Sequence, residues 1–155
     1  MKITGTKKIA TNRKAFHEYH ILERMECGIV LAGTEVKSVK AGAVGFSGSF
    51  ATVEENELIL QNFSIQPYEF ANRFNHDPLK PRKLLAHRNE IKRLAAYTAQ
   101  KGITLIPLSV YLKNGIVKIE LGLCKGKKQE DKREDLKRKT AERETARAMS
   151  AKWRK

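Results

Sequence analysis

Cysteine is nearly absent from this sequence. Cys27 and Cys124 are the only two, and they form no Cys-x-x-Cys pair. That excludes a disulfide framework and offers no zinc-ligand spacing, so the expectation is two reduced, partly buried thiols. Hydrophobic runs are short. None approaches the roughly 20 apolar residues of a membrane span. Residues 1–10 are basic but lack an apolar segment, so no secretion signal and no membrane partner is expected. Aromatic residues make up only 7% of the chain. Once the core takes its share, few remain for the row of stacking rings that a general single-strand binder displays.

Signs of catalysis are also missing. No nucleophile motif and no phosphate-cradling glycine loop occurs. His17 and His20 lie three apart beside Glu18, and His76 precedes Asp77. Neither group has a full ligand set at a recognisable metal spacing. The expectation is polar histidines, no catalytic residue, no metal and no cofactor. A metal-dependent hydrolase is the enzyme alternative, which a turnover assay would expose.

What the chain has in excess is positive charge. Lys and Arg number 31 against 17 Asp and Glu, a net +14. A field of that sign attracts polyanions. The excess is unevenly spread. Residues 1–124 carry 18 basic and 11 acidic side chains, whereas residues 125–155 carry 13 and 6. The last 31 residues hold half the net charge, and their only large apolar residues are Leu136, Met149 and Trp153. Such a segment buries too little apolar surface to offset its ordering entropy. A body over 1–124 and a tail over 125–155, disordered when free, are therefore expected. The tail can still become a helix: Glu134–Arg138 and Asp135–Lys139 are acidic-to-basic i,i+4 pairs, and no Gly or Pro follows Gly126. Met149 and Trp153 share a helical face, but Leu136 lies elsewhere on the wheel, so there is no continuous stripe for a membrane or a coiled coil.

The body reads mainly as β. Strands are expected over 19–32, 34–39, 50–53, 57–61, 63–66, 103–112 and 116–124, with Asn114-Gly115 as a type I′ hairpin turn. Pro107 marks a bulge or an edge. A helix is expected over 89–101, where Ile91, Leu94, Ala95 and Thr98 share a face and Gly102 suits the C′ position. A short helix over 14–18 would be capped by Asn12. Residues 67–83, with prolines at 67, 78 and 81, read as a long irregular loop of the kind that serves a function. The pattern predicts a small closed antiparallel barrel of the oligonucleotide-binding type with flanking helices.

Three segments could meet a nucleic acid. Asn12-Arg13-Lys14 offers two cations and an amide for phosphates and a base edge, or is simply a capped helix with a solvated basic face. Gly33 to Ser38 places Glu35 and Lys37 on one strand face, where Glu35 accepts base hydrogen bonds or merely pairs with Lys37. Arg82-Lys83-Leu84-Leu85-Ala86-His87 combines cations with an imidazole that could stack on a base, or reads as a buried strand followed by a helix cap.

Taken in order, Asn12 to Ala15, Gly33 to Ser38, Asn62 to Tyr68, Arg82 to Leu85, Gly102 to Leu108 with Tyr111, and Gly126-Lys127-Lys128 followed by Asp131-Lys132-Arg133-Glu134 resemble the small protein B family, the bacterial tmRNA-binding (SsrA-binding) proteins. The resemblance covers residues 12–134. It implies a barrel that grips the tRNA-like domain of tmRNA and stands in for a missing anticodon arm. It implies work in trans-translation, in the cytoplasm and as a monomer, with alanyl-tRNA synthetase and elongation factor Tu engaged indirectly through tmRNA. It implies a tail that becomes a helix in the vacant mRNA channel beside the small-subunit decoding centre. The family's RNA contacts fall on Asn12, Glu35, Lys37, Leu85 and His87, and the segments around them add Arg13, Lys14, Ser38, Arg82 and Lys83 to the expected RNA-binding residues. The ribosome-facing motif falls on Gly126, Lys127, Lys128, Asp131, Lys132 and Arg133, and Met149 is expected to meet the ribosome as well. Two positions depart from the family: Glu130 stands where an aromatic or His is usual, and Ala148 where a larger apolar residue is common. A barrel that binds single-stranded nucleic acid without specificity is the alternative reading.

Overall fold

Period-two alternation dominates the body, and strands follow from it. The computed structural model describes residues 5–70 and 75–153. Within them the order is β1 (Thr6–Thr11), α1 (Arg13–Glu18), β2 (Tyr19–Ile29), α2 (Gly33–Lys40), β3 (Val44–Gly45), β4 (Phe50–Glu54), β5 (Glu57–Gln61), β6 (Ser64–Ile65), β7 (Arg82–Leu85), α3 (Arg88–Thr98), β8 (Ile103–Lys113), β9 (Ile116–Gly126) and α4 (Gln129–Trp153). The chain is thus mainly β with flanking helices. Every pairing is antiparallel, and the order is β1-β8-β4-β5-β7-β2-β9, with β9 also pairing with β8. The two short strands β3 and β6 pair separately.

Bulges let two long strands serve two cores. In β9, Val117, Ile119, Leu121 and Leu123 enter the larger cluster, while Cys124 enters the smaller one, as simple alternation requires. In β8, Leu105 and Val110 both reach the larger cluster although they are five residues apart. The register shift between Pro107 and Ser109 supplies the extra residue that restores the face. Pro107 therefore marks a bulge inside a paired strand. A second shift, between Ile21 and Glu23 in β2, moves that strand from the smaller cluster (Tyr19, Ile21) to the larger one (Met25, Cys27, Ile29). At Gly122 the side chains of β8 and β9 leave no room for a Cβ, which would lie 2.7 Å from Leu108 Cδ1. Burial pushes the Cys27 thiol up to about 12 and the Cys124 thiol up to about 11, so both stay protonated.

Two expectations need correction. Residues 34–39 are not a strand but lie within helix α2, whose buried positions Glu35, Ser38 and Val39 follow i, i+3, i+4 spacing. Glu35 Oε1 accepts the Ala32 N–H at 3.0 Å, which starts the helix from its own first turn. Residues 6–11, read only as a basic start, form β1; its support is the non-local pairing with β8, and only Ile9 and Ala10 are partly covered. Within the tail, Gln129–Trp153 form the helix α4, with Leu136 and Met149 both exposed. Helix formers without Gly or Pro run through it, and its first turns are tied to the body, as described below. The Trp153 side chain lies outside the described residues, so the face shared with Met149 does too.

Other expectations hold closely. Asn12 caps α1, α3 buries Ile91 and Leu94, and the Asn114-Gly115 turn has φ of 52° and 80°. Helix α3 ends at Thr98, before Lys101, and Gly102 (φ 86°) turns the connection to β8 instead of the C′ position.

Candidate nucleic-acid interface

The ten body residues expected to meet RNA divide into an inner and an outer set. Asn12, Glu35, Ser38 and Arg82 are buried. Asn12 Oδ1 accepts the Ala15 N–H at 3.2 Å, and its Nδ2 donates to the Pro107 carbonyl at 2.9 Å. It joins α1 to the β8 bulge and has both side-chain functions engaged. Arg13 and Lys14 stand exposed beside it, Lys14 within 3.8 Å of Glu18.

Glu35 is fully enclosed and paired with an equally enclosed Arg82, whose Nε donates to Oε2. Arg82 donates further, to the carbonyls of Phe63, Asp77 and Pro78. Lys80 Nζ lies 3.6 Å from the other Glu35 oxygen. Burial alone would raise the Glu35 carboxyl, but the Arg82 bond, the Ala32 N–H and the Lys80 charge together hold it below the usual carboxylate range. The two residues expected to face RNA therefore face each other. The surface pair considered for Glu35 and Lys37 does not form either: Lys37 is exposed and lies over the Tyr68 ring at 5.4 Å. Ser38 Oγ is buried and has no hydrogen-bond partner among the described residues.

The outer set continues along β7 and into α3. Lys83 is exposed and reaches Glu57 at 3.2 Å, Leu85 is half exposed, and His87 is exposed at the start of α3, its N–H donating to Glu90. β7 alternates buried and exposed, so Arg82 and Leu84 point inward while Lys83 and Leu85 point outward. Leu85 and His87 line a shallow groove with Glu26, Gly28, Glu90 and Lys118. Gly28 leaves room for Leu85, whose Cβ would be 3.2 Å from a Cβ at that position. Lys118 and Gly28 were missed at the level of sequence. The signals were a glycine inside a strand, which marks a close approach, and a lysine at the outward position of an alternating run. Glu26 at the groove edge is held below its usual range, chiefly by the Tyr111 hydroxyl; burial and that same bond raise Tyr111. The structure places Lys37, Lys83, Leu85 and His87 on α2, β7 and the start of α3. It places Arg13 and Lys14 on α1, whose Ala15 belongs to the smaller cluster.

The tail residues also divide. Gly126 ends β9, paired with Tyr19. The Lys127 N–H donates to Glu18 O at 2.9 Å, and its ammonium, largely buried, donates to Phe16 O at 3.2 Å and pairs with Asp135. Asp131 accepts the Lys128 N–H and lies 3.2 Å from His20 Nε2. The His20 hydrogen bond holds Asp131 below the usual range, and the Lys127 bond does the same for Asp135. Lys127 and Asp131 thus tie α4 to α1 and β2, whereas Lys128, Arg133 and Met149 stand exposed and Lys132 is half-buried. No group of three or more His, Cys, Asp or Glu that could hold a metal occurs among the described residues. No helix among them is long and apolar enough to cross a membrane.

The family described as SmpB protein matches residues 9–151. The chain is 56% identical over 143 residues to an SsrA-binding protein of Geobacillus kaustophilus, covering 92% of each chain. It is 62% identical over 130 residues to one of Caldanaerobacter subterraneus, covering 84% of this chain and 82% of the relative. It is 56% identical over 143 residues to one of Bacillus subtilis, again covering 92% of each. A solved chain described by the words "tmRNA-SmpB: a journey to the center of the bacterial ribosome" is 49% identical, with a TM-score of 0.67 over 82% of this chain and 93% of that one.

Proposed function

The chain belongs to the SmpB protein family, and on that premise we propose that it binds the tRNA-like domain of tmRNA and delivers it to stalled ribosomes in trans-translation. The observation that carries this reading is full-length similarity to SsrA-binding proteins, together with a solved relative described with tmRNA and the bacterial ribosome. The ring of pairings from β8 through β4, β5, β7, β2 and β9 back to β8 supports a small closed barrel of the oligonucleotide-binding type. On it, Lys37, Lys83, Leu85 and His87 meet RNA directly, with Lys118 beside them and Arg13 and Lys14 contributing phosphate contacts. Asn12, Glu35, Ser38 and Arg82 act from within, by holding α1, α2 and the segment before β7. The protein performs no catalysis of its own, acts as a cytoplasmic monomer, and engages alanyl-tRNA synthetase and elongation factor Tu only through tmRNA.

The tail has a separate task. Its basic surface, with Lys128, Lys132, Arg133 and Met149, suits a channel lined by phosphates near the decoding centre. The Lys127 and Asp131 contacts set where it leaves the body. Helix without an apolar stripe is weakly held in water, so ordering against ribosomal RNA completes it. Deletion of residues 129–155 is expected to leave affinity for the tRNA-like domain within about twofold and to abolish tagging of nascent chains on stalled ribosomes. Binding and tagging assays on the same preparation check this. Loss of both would make the tail part of the RNA grip.

A further inference from the structure

The loop between β6 and β7 is built from inside. Arg82 donates to Asp77 O and Pro78 O, and Lys80 reaches Glu35. His76 Nε2 lies 2.9 Å from Ile65 O and 3.0 Å from Gln66 O, which fixes the proton on that nitrogen, and its Nδ1 meets Thr34 Oγ at 2.9 Å. Asn75 closes the start of the loop: its Oδ1 accepts the Tyr68 N–H at 3.2 Å and its Nδ2 donates to Tyr68 O at 2.9 Å. So much internal bonding is unusual for a loop that merely connects.

The loop also presents an aromatic ring outward. Phe70 is 79% exposed, the most exposed of the large apolar side chains described. It meets the Tyr68 ring edge-on, with centroids 5.7 Å apart and planes at 69°. Lys37 lies over the Tyr68 ring. An exposed ring costs solvation, and the Asn75 bonds to Tyr68 hold the start of the segment that carries this one. An aromatic face beside a lysine matches a nucleobase with its phosphate: the ring stacks on the base, and the ammonium meets the anion. An apolar protein partner would find a lysine, Lys37, over the Tyr68 ring.

We propose that Phe70, Tyr68 and Lys37 form a stacking shelf for one unpaired nucleobase of the bound RNA, a contact separate from the Leu85–His87 groove. This rests on the reading of the protein as an RNA binder. The shelf explains why a buried Glu35–Arg82 pair can matter for RNA: it anchors the loop that carries the rings. Glu35 and Arg82 are then positioning residues.

The test uses the full chain and the tRNA-like domain of tmRNA across a range of salt. Phe70→Ala is expected to weaken binding about tenfold, since one base–aromatic stack is removed. The slope of log K against log salt should not change, because no phosphate contact is lost. Phe70→Trp should restore affinity, and with Trp153→Phe in the background its fluorescence should fall on binding. Lys37→Ala should reduce the slope by about 0.7–0.9. Phe70→Ala binding as tightly as wild type, with or without a defect in ribosome rescue, would overturn the shelf; a rescue defect would reassign the surface to a protein. Wild type failing to prefer the tRNA-like domain would overturn the RNA reading, and the shelf with it.

Discussion

Arg82 donates a charge-assisted hydrogen bond to Glu35 where water cannot reach, and that bond helps to keep the buried carboxylate ionised. Glu35→Gln leaves the guanidinium uncompensated, so unfolding at neutral pH should become easier by about 3–5 kcal/mol. Denaturant titration reads this directly, and a variant as stable as wild type would show that the pair is not holding α2 to β7. The pH dependence has a definite sign. The folded Glu35 carboxyl lies below its usual range, so its contribution is complete above about pH 4.3 and disappears as pH falls through the lowered folded value. The stability gap between wild type and Glu35→Gln should close only in acid. The sequence announced that Glu35 and Arg82 matter, through the family pattern, but not that they meet. They are 47 residues apart, and no local periodicity encodes that contact.

Among the elements, strands with strong alternation were legible, and those whose support is non-local were not. β5 has the bounds that its pattern predicts, and α3 and the Asn114-Gly115 turn follow from apolar spacing and turn chemistry. β1 was hidden because its stability comes from pairing with β8, a hundred residues away in the chain. α2 was misread because Thr34 to Val39 fits a two-residue period as well as a helical one; the enclosed Glu35, Ser38 and Val39 decide for the helix. Gly122 tests the strand register. Alanine there would place a methyl 2.7 Å from Leu108 Cδ1 and 3.1 Å from Cys124 Sγ, between two side chains that are themselves enclosed. Neither can step aside into solvent, so Gly122→Ala should destabilise the fold by about 1–3 kcal/mol. A lower thermal midpoint with an unchanged far-ultraviolet spectrum is the expected record, and an unchanged midpoint would mean that β8 and β9 are less tightly apposed than described.

For the whole molecule, the net +14 guarantees attraction to any polyanion and specifies none. Selectivity has to come from shape: outward residues of β7 and α3, cations on α1, and a loop and a helix fixed to the body by buried bonds. Charge and family were visible in the sequence, whereas the division of the motif residues into those that face outward and those that hold them in place was not. The most direct test of this account is competition. Labelled tRNA-like domain of tmRNA, bound to the full chain at near-physiological salt, is challenged with the same domain unlabelled, with unlabelled tRNA and with an unstructured RNA of equal length. The account predicts that only unlabelled tRNA-like domain displaces the probe at comparable concentration, with the others needing at least about a hundredfold more. Equal displacement by all three would contradict it and leave a basic protein that binds RNA through charge alone.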